Sequence, residues 1–123
     1  MSLLTLKSDV QLKALDPRMV LADLVVADQF QALGLDCQIT SGTDGIHMAG
    51  SKHYLGLAHD YKTFHVPPDA LPALVIAIAV ALPGYDVLYE APTKPTALPQ
   101  SLYWQSPQPH VHVEFDPHTY VVS

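Results

Sequence analysis

The stretch Gly50-Ser51-Lys52-His53-Tyr54-Leu55-Gly56-Leu57-Ala58-His59-Asp60 decides how the rest of the chain is read, because it sets a histidine and an aspartate seven residues apart. From Gly56 to Tyr61 the pattern has a period of two. Gly56, Ala58 and Asp60 point one way and Leu57, His59 and Tyr61 the other, which predicts a strand. Asp60 then shares its face with two minimal side chains, and the stretch reads as half of a metal site. The other half has to come from far away in sequence. The comparable cluster is Pro109-His110-Val111-His112-Val113-Glu114-Phe115. Strict alternation there predicts a second strand, with His110, His112 and Glu114 on one face and Val111, Val113 and Phe115 toward the core.

The segments between these clusters are expected to bring them together. Asp16-Pro17 has the chemistry of a helix start, an N-cap carboxylate followed by a proline whose missing N–H had no partner in any case. Val20, Leu21, Leu24, Val25, Phe30 and Leu33 are expected to form the apolar face of that helix, with Asp23 and Asp28 outward and Gly34 ending it. Such a helix, lacking a convergent polar set, reads as structural. Cys37 to Ser41 reads as a short strand, followed by turn chemistry at Gly42-Thr43-Asp44-Gly45 and a polar loop to Lys52. Asp69 is the expected N-cap of a helix over residues 70 to 82, which is apolar nearly all round and so expected to be deeply buried. Tyr85 to Glu90 reads as a strand with Val87 and Tyr89 on one side and Asp86, Leu88 and Glu90 on the other. Residues 91 to 109 hold five prolines and are expected to make an irregular lid or arm, neither sheet nor helix. Residues 1 to 15 alternate too weakly to assign.

Bulk composition narrows the function classes. The 123 residues suit one domain, and 49% hydrophobic with 15% charged residues suits a folded one. A net charge of -6 with six basic residues leaves too little positive charge to displace the counterions of a nucleic acid, which excludes that partner. The single cysteine, Cys37, excludes an internal disulfide. No secretory leader is evident near Met1, which predicts synthesis into the cytoplasm, with action at a cell wall or in a virion left open. The longest apolar run, residues 70 to 82, falls short of the roughly 20 residues that a membrane span needs.

A borderline cation such as zinc favours neutral imidazole and carboxylate, and a catalytic site uses three protein ligands so that a fourth position can hold water. His53, Asp60 and His112 supply such a set. His110, two residues before His112 on the same strand face, sits about 6 to 7 Å along the chain, where an acid or base belongs. Glu90 ends its strand and either points into this site or caps the loop. Glu114 reads as a supporting or solvent-facing group. His59, His65 and His118 read as ordinary core or loop histidines. On the residues alone, a plain α+β domain with incidental histidines competes with the metal site.

Ser51 to Asp60 matches the pattern S-x-H-x-x-G-x-A-x-D at every specified position. With the later His110-Val111-His112 it resembles the zinc peptidase superfamily that includes D-Ala-D-Ala carboxypeptidases, lysostaphin-type enzymes and the hedgehog domain. Ile39-Thr40-Ser41-Gly42 also looks like the strand and turn that lead into the site, so the resemblance covers about residues 36 to 116. It implies an α+β fold, a small antiparallel sheet with two main helices packed on it, and Zn2+ held by His53, Asp60 and His112. It also implies hydrolysis of peptidoglycan stem peptides by a zinc-activated water. Carboxypeptidase-type members place a glutamate shortly before the last zinc histidine as general base, which Glu90 matches only if residues 91 to 109 loop out and return. Lysostaphin-type members use the first histidine of the His-x-His pair, which His110 matches directly. Ser51 and Lys52 would approach the substrate. Where the carboxypeptidase pattern has a carboxylate-clamping arginine, this chain has Thr43-Asp44, and Lys52 or Lys62 would have to substitute without the bidentate fork of arginine. That departure favours an endopeptidase over a D,D-carboxypeptidase, and the compact chain looks like phage members of the group. The alternative within the same fold is an inactive, metal-stabilised binding or virion structural module.

Overall fold

The computed structural model describes residues 4–8, 16–41 and 57–115. The turn at residues 42 to 45, Ser51, Lys52, His53, Gly56 and His118 lie outside them, so the expectations resting on those residues concern undescribed positions. The elements run β1 (Leu4–Leu6), α1 (Pro17–Ala32), β2 (Cys37–Ser41), β3 (Ala58–Lys62), α2 (Leu71–Ala81), β4 (Tyr85–Ala91), β5 (Tyr103–Gln105) and β6 (His110–Phe115). The strands form one sheet in the order β1-β2-β3-β6-β4-β5. The expected small antiparallel sheet is thus corrected to a six-stranded mixed one. Its middle is antiparallel (β2-β3, β3-β6, β6-β4), but β1 runs parallel to β2 and β5 parallel to β4 at the two edges. Both helices pack on one face, burying Met19, Val26, Phe30, Val75 and Ile78 against Ile39, Tyr61, Val87, Val111 and Val113. The architecture is mixed α/β with two helices on a sheet.

Helix α1 begins as its sequence dictates. Asp16 is extended at the N-cap and its side chain accepts the Arg18 N–H at 2.8 Å, with Pro17 in the first turn. It ends in a Schellman motif: Leu35 N–H donates to Phe30 O and Gly34 N–H to Gln31 O, with Gly34 at φ +72. Its buried face is rotated from the expected one. Met19, Ala22, Asp23, Val26 and Phe30 face the sheet, whereas Val20, Leu21, Leu24 and Leu33 are exposed and Asp23 is not outward but buried.

Helix α2 also departs from expectation at two points. A turn closed by Ala70 N–H to Pro67 O places Ala70 at the N-cap, so Asp69 does not cap the helix. Its composition is apolar on every side, but only the face carrying Leu71, Leu74, Val75 and Ile78 is buried; Val80 stays 76% exposed. A two-layer domain has one sheet face to offer each helix, so an outer face remains whatever its composition.

Residues 91 to 109, expected to hold neither sheet nor helix, contain a 3-10 turn and a short edge strand. The Lys94 ammonium donates to the carbonyls of Pro95 and Leu98 at 3.0 and 2.7 Å, and Leu98 is buried beneath the turn. A 3-10 turn (Gln100–Leu102) then delivers β5 to the edge of β4, where the Tyr103 hydroxyl donates to Ala91 O at 2.7 Å. Ser106 N–H bonds Ala91 O, the chain crosses the end of β4, and His110 enters β6 opposite Glu90. Proline is compatible with this course because all five flank the edge strand and none lies within it. Among the described residues no helix is long and apolar enough to cross a membrane.

Candidate functional site

Strand register builds the site. Antiparallel pairing sets Asp60 opposite His112 and Lys62 opposite His110 across β3 and β6, and Glu90 opposite His110 across β6 and β4. Directly paired residues share a sheet face, and alternate residues along a strand return to it. Asp60, Glu90, His110, His112 and Glu114 therefore stand together on the face away from the helices, contributed by three strands. The core face is fixed by Tyr61, Val87, Tyr89, Val111 and Val113. The expected sidedness of β3, β4 and β6 is as observed, and residues 91 to 109 do loop out and return, which brings Glu90 beside His110.

The side chains are in direct contact. His112 lies between two carboxylates, Nδ1 at 2.8 Å from Asp60 Oδ1 and Nε2 at 2.9 Å from Glu114 Oε1. His110 Nε2 is 2.9 Å from Glu90 Oε1 and 3.7 Å from Asp60 Oδ1, while its Nδ1 is 2.8 Å from the Gln108 carbonyl. The Asp60, Glu90 and Glu114 carboxylates and the Gln108 carbonyl set against the ring nitrogens are acceptors, an arrangement that favours the protonated form of both imidazoles. Burial opposes that charge, but hydrogen bonds to Asp60 and Glu114 outweigh it and His112 is pushed up to about 10. Burial likewise opposes charge on His110, and Glu90 with Asp60 raises it above its ordinary value. The side chains keep between 13% and 24% of their surface exposed, enough for a ligand to reach them and little enough for their charges to couple strongly. Glu114, expected to be supporting or solvent-facing, is a hydrogen-bond partner of His112.

Asp60 and His112 suit a divalent cation in chemistry. An imidazole nitrogen and a carboxylate oxygen already face each other, and a cation bound there would take the place of the proton they share. Their 2.8 Å separation is that of a direct hydrogen bond, whereas two such ligands on one tetrahedral zinc sit about 3.3 Å apart. Among the described residues no three His, Cys, Asp or Glu side chains form a ready metal cage. The third expected ligand, His53, lies outside those residues, as do Ser51 and Lys52.

Behind Asp60 the sequence reading missed a second polar cluster. Asp23 Oδ1 on α1 accepts from His59 Nδ1 at 2.8 Å and from the Tyr61 hydroxyl at 2.5 Å, with all three side chains buried. Burial and the Asp23 carboxylate push the Tyr61 phenol well above its ordinary value. The signal was present in Met19, Ala22, Asp23, Val26 and Phe30, a tighter 3- and 4-residue stripe than the one chosen. His65 behaves as an ordinary structural histidine, its ring stacked on Phe30 with Nε2 at 2.6 Å from the Asp36 carbonyl.

Compared with models of protein families, the chain matches none, and comparison with curated proteins gives no match.

Proposed function

We propose that this chain is a zinc-dependent peptidase that hydrolyses amide bonds of peptidoglycan stem peptides, with endopeptidase action favoured over removal of a terminal residue. The observation that carries this reading is the convergence of Asp60, His112, His110 and Glu90 on one open sheet face, from strands up to 52 residues apart. The S-x-H-x-x-G-x-A-x-D stretch and the His-x-His pair support it, with His53, Asp60 and His112 as the residues that would hold the ion. A bound zinc supplies Lewis acidity, polarising the scissile carbonyl and making water nucleophilic near neutral pH.

The proton chemistry falls to Glu90 and His110 as a hydrogen-bonded pair. His110 has an acceptor at each ring nitrogen, which suits it to the acid role, and in this reading the basic member is the Glu90 carboxylate, which takes the proton from the attacking water. His110 is the cationic member, able to stabilise the developing oxyanion and return a proton to the leaving amine. The two sequence templates, one with a glutamate base and one with a histidine, thus merge in one pair. Glu114 orients the His112 ring from the far side, as an outer partner of a metal ligand does.

The test is metal analysis of the untagged protein combined with digestion of purified muropeptides. One zinc per chain and a new peptide product are expected. Glu90→Gln and His110→Ala should each lower turnover by about 10²-fold or more while keeping zinc and fold; Asp60→Ala and His112→Ala should lose zinc. Stoichiometric zinc with no product from any muropeptide would sink the enzyme reading and leave a metal-stabilised binding or virion module. Absence of tight zinc would sink both and leave a plain α/β domain.

A further inference from the structure

The composition of helix α2 exceeds what the fold buries. Residues 70 to 84 contain no charged or hydrogen-bonding side chain, yet only one face of the helix meets the sheet. The other face carries Ala73, Ile76, Ala77 and Val80, spaced i, i+3, i+4 and i+7, of which Ala73, Ile76 and Val80 are exposed. Helix α1 extends the same surface. Leu21 and Leu24, 57% and 58% exposed, point away from its buried stripe. The Tyr85 hydroxyl donates to Arg18 O at 2.7 Å, which ties the first turn of α1 to the chain just beyond α2. The apolar half of α1 therefore lies beside the C-terminal half of α2, with the two helices in contact. Exposing a continuous apolar patch to water is unfavourable, and a patch of this extent marks an interaction surface.

We propose that the outer faces of α1 and α2 form a twofold interface with a second copy of this chain, giving a dimer with the helices inside and both open sheet faces outside. A second copy fits this face in shape, charge and area. The α2 stripe is complementary to itself. About a twofold axis crossing the helix between Ile76 and Ala77, Ala73 faces the partner's Val80 and Ile76 faces the partner's Ala77, so a small side chain always meets a larger one. An isologous interface also brings identical charges together, which a chain of net charge -6 tolerates only where the patch carries none; the α2 face carries none. On α1 the exposed charges Arg18 and Asp28 flank the two leucines at opposite ends, so the same axis turns opposite signs toward each other. The area also suffices. Helices of 16 and 11 residues are about 24 and 16 Å long and pack about 9 Å apart. Their joint outer face is roughly 20 Å each way, and with side-chain relief its accessible area approaches the ~800 Å² per partner of a standard interface. Asp60, His112, His110 and Glu90 remain on the outer surface of each copy, so the dimer stands or falls independently of the peptidase reading.

Sedimentation equilibrium of the untagged full chain between about 1 and 300 µM tests this, with amide spectra recorded over the same range. A reversible monomer–dimer equilibrium is expected, with concentration-dependent shifts in α1 and α2 and none along β3 and β6. Val80→Glu and Leu24→Glu each bring two like charges into an apolar contact and should weaken dimerisation by about 100-fold or more. Both side chains are largely exposed in a single copy, so the unfolding midpoint of dilute protein should not fall. Val80→Ala adds no charge, should weaken association by about tenfold, and keeps the test decisive if a glutamate variant fails to fold. Phe64→Glu, at a residue 72% exposed but away from the helices, should leave association unchanged. A monomer at every concentration overturns the proposal. So does a dimer that the α1 and α2 variants leave unchanged, or one whose shifts map to the open sheet face.

Discussion

Asp23→Ala is expected to be the most destabilising single change on helix α1. The Asp23 carboxylate is buried at 4% exposure and one of its oxygens accepts from both His59 and Tyr61, which are 1% and 0% exposed. Alanine removes the acceptor and leaves two buried donors without it. Each such group costs about 1–3 kcal/mol, so the loss should be roughly 2–6 kcal/mol, against a total of about 5–15 kcal/mol for a domain of this size. Asn at the same position keeps the shape and one acceptor oxygen, and should cost about half as much. Tyr61→Phe should cost about 1–2 kcal/mol, and the Asp23→Asn/Tyr61→Phe double variant should lose less than the sum, because the two changes delete one shared contact. Urea unfolding with the slope held common across variants measures all four. If Asp23→Ala shifts stability by less than about 0.5 kcal/mol, or the cycle is additive, the triad does not join α1 to β3 and the reasoning is refuted.

The remaining expectations follow from other parts of the fold. Burial pushes the Cys37 thiol up from its ordinary 9.0 to about 12, so the unfolded chain loses this proton before the folded one does. Its contribution is complete below pH 9 and declines as pH rises toward 12, with Tyr61 acting in the same direction; unfolding midpoints at pH 8 and pH 10 check the sign, and fast labelling of the folded thiol at pH 8 would contradict it. Leu98→Ala should cost about 2–4 kcal/mol and speed amide exchange selectively over residues 91 to 105, since Leu98 is the buried anchor of that segment. Gly34→Ala should cost about 1 kcal/mol in thermal unfolding and Gly34→Asn less, because nothing lies within 4 Å of an added Cβ and only the φ of +72 opposes it.

What could be read from the chain and what could not divides along physical lines. Alternation in His110–Phe115 and Tyr85–Ala91 fixed the sidedness of β6 and β4, because one face of each is buried and a half-buried strand must alternate. The caps of α1 were equally legible, since Asp16, Pro17 and Gly34 each have a local conformational reason to be there. The face of α1 was not, because Leu21 and Leu24 are more apolar than Ala22 and Asp23, and only the partners of Asp23 explain its burial. Three-residue strands such as Leu-Thr-Leu and Tyr-Trp-Gln are too short to show a period, which hid both parallel edges of the sheet. Contact between Glu90 and His110 depended on where residues 91 to 109 return, and that is set by Leu98, Lys94 and Tyr103 acting together and not by any local pattern.

The site's geometry is decided by residues that do not belong to it. Asp60, His112, His110 and Glu90 meet because β6 lies between β3 and β4 in one register, and a slip of one residue would turn all the functional groups of β6 into the core. Val111 and Val113, fully buried on the opposite face, forbid that slip more strongly than any contact among the polar residues could. Strand β3 has the same protection in a different form: His59 and Tyr61, the two neighbours of Asp60 in sequence, are tied from behind to Asp23. An open face with five titratable groups gains little stability from its own ion pairs, which are partly solvated and offset by desolvation. Its order must therefore be imposed from the helix side. It follows that substitutions at Asp23 should disturb ligand affinity at Asp60 although no atom of Asp23 reaches the open face, whereas Val80 on the outer side of α2 should have no such effect.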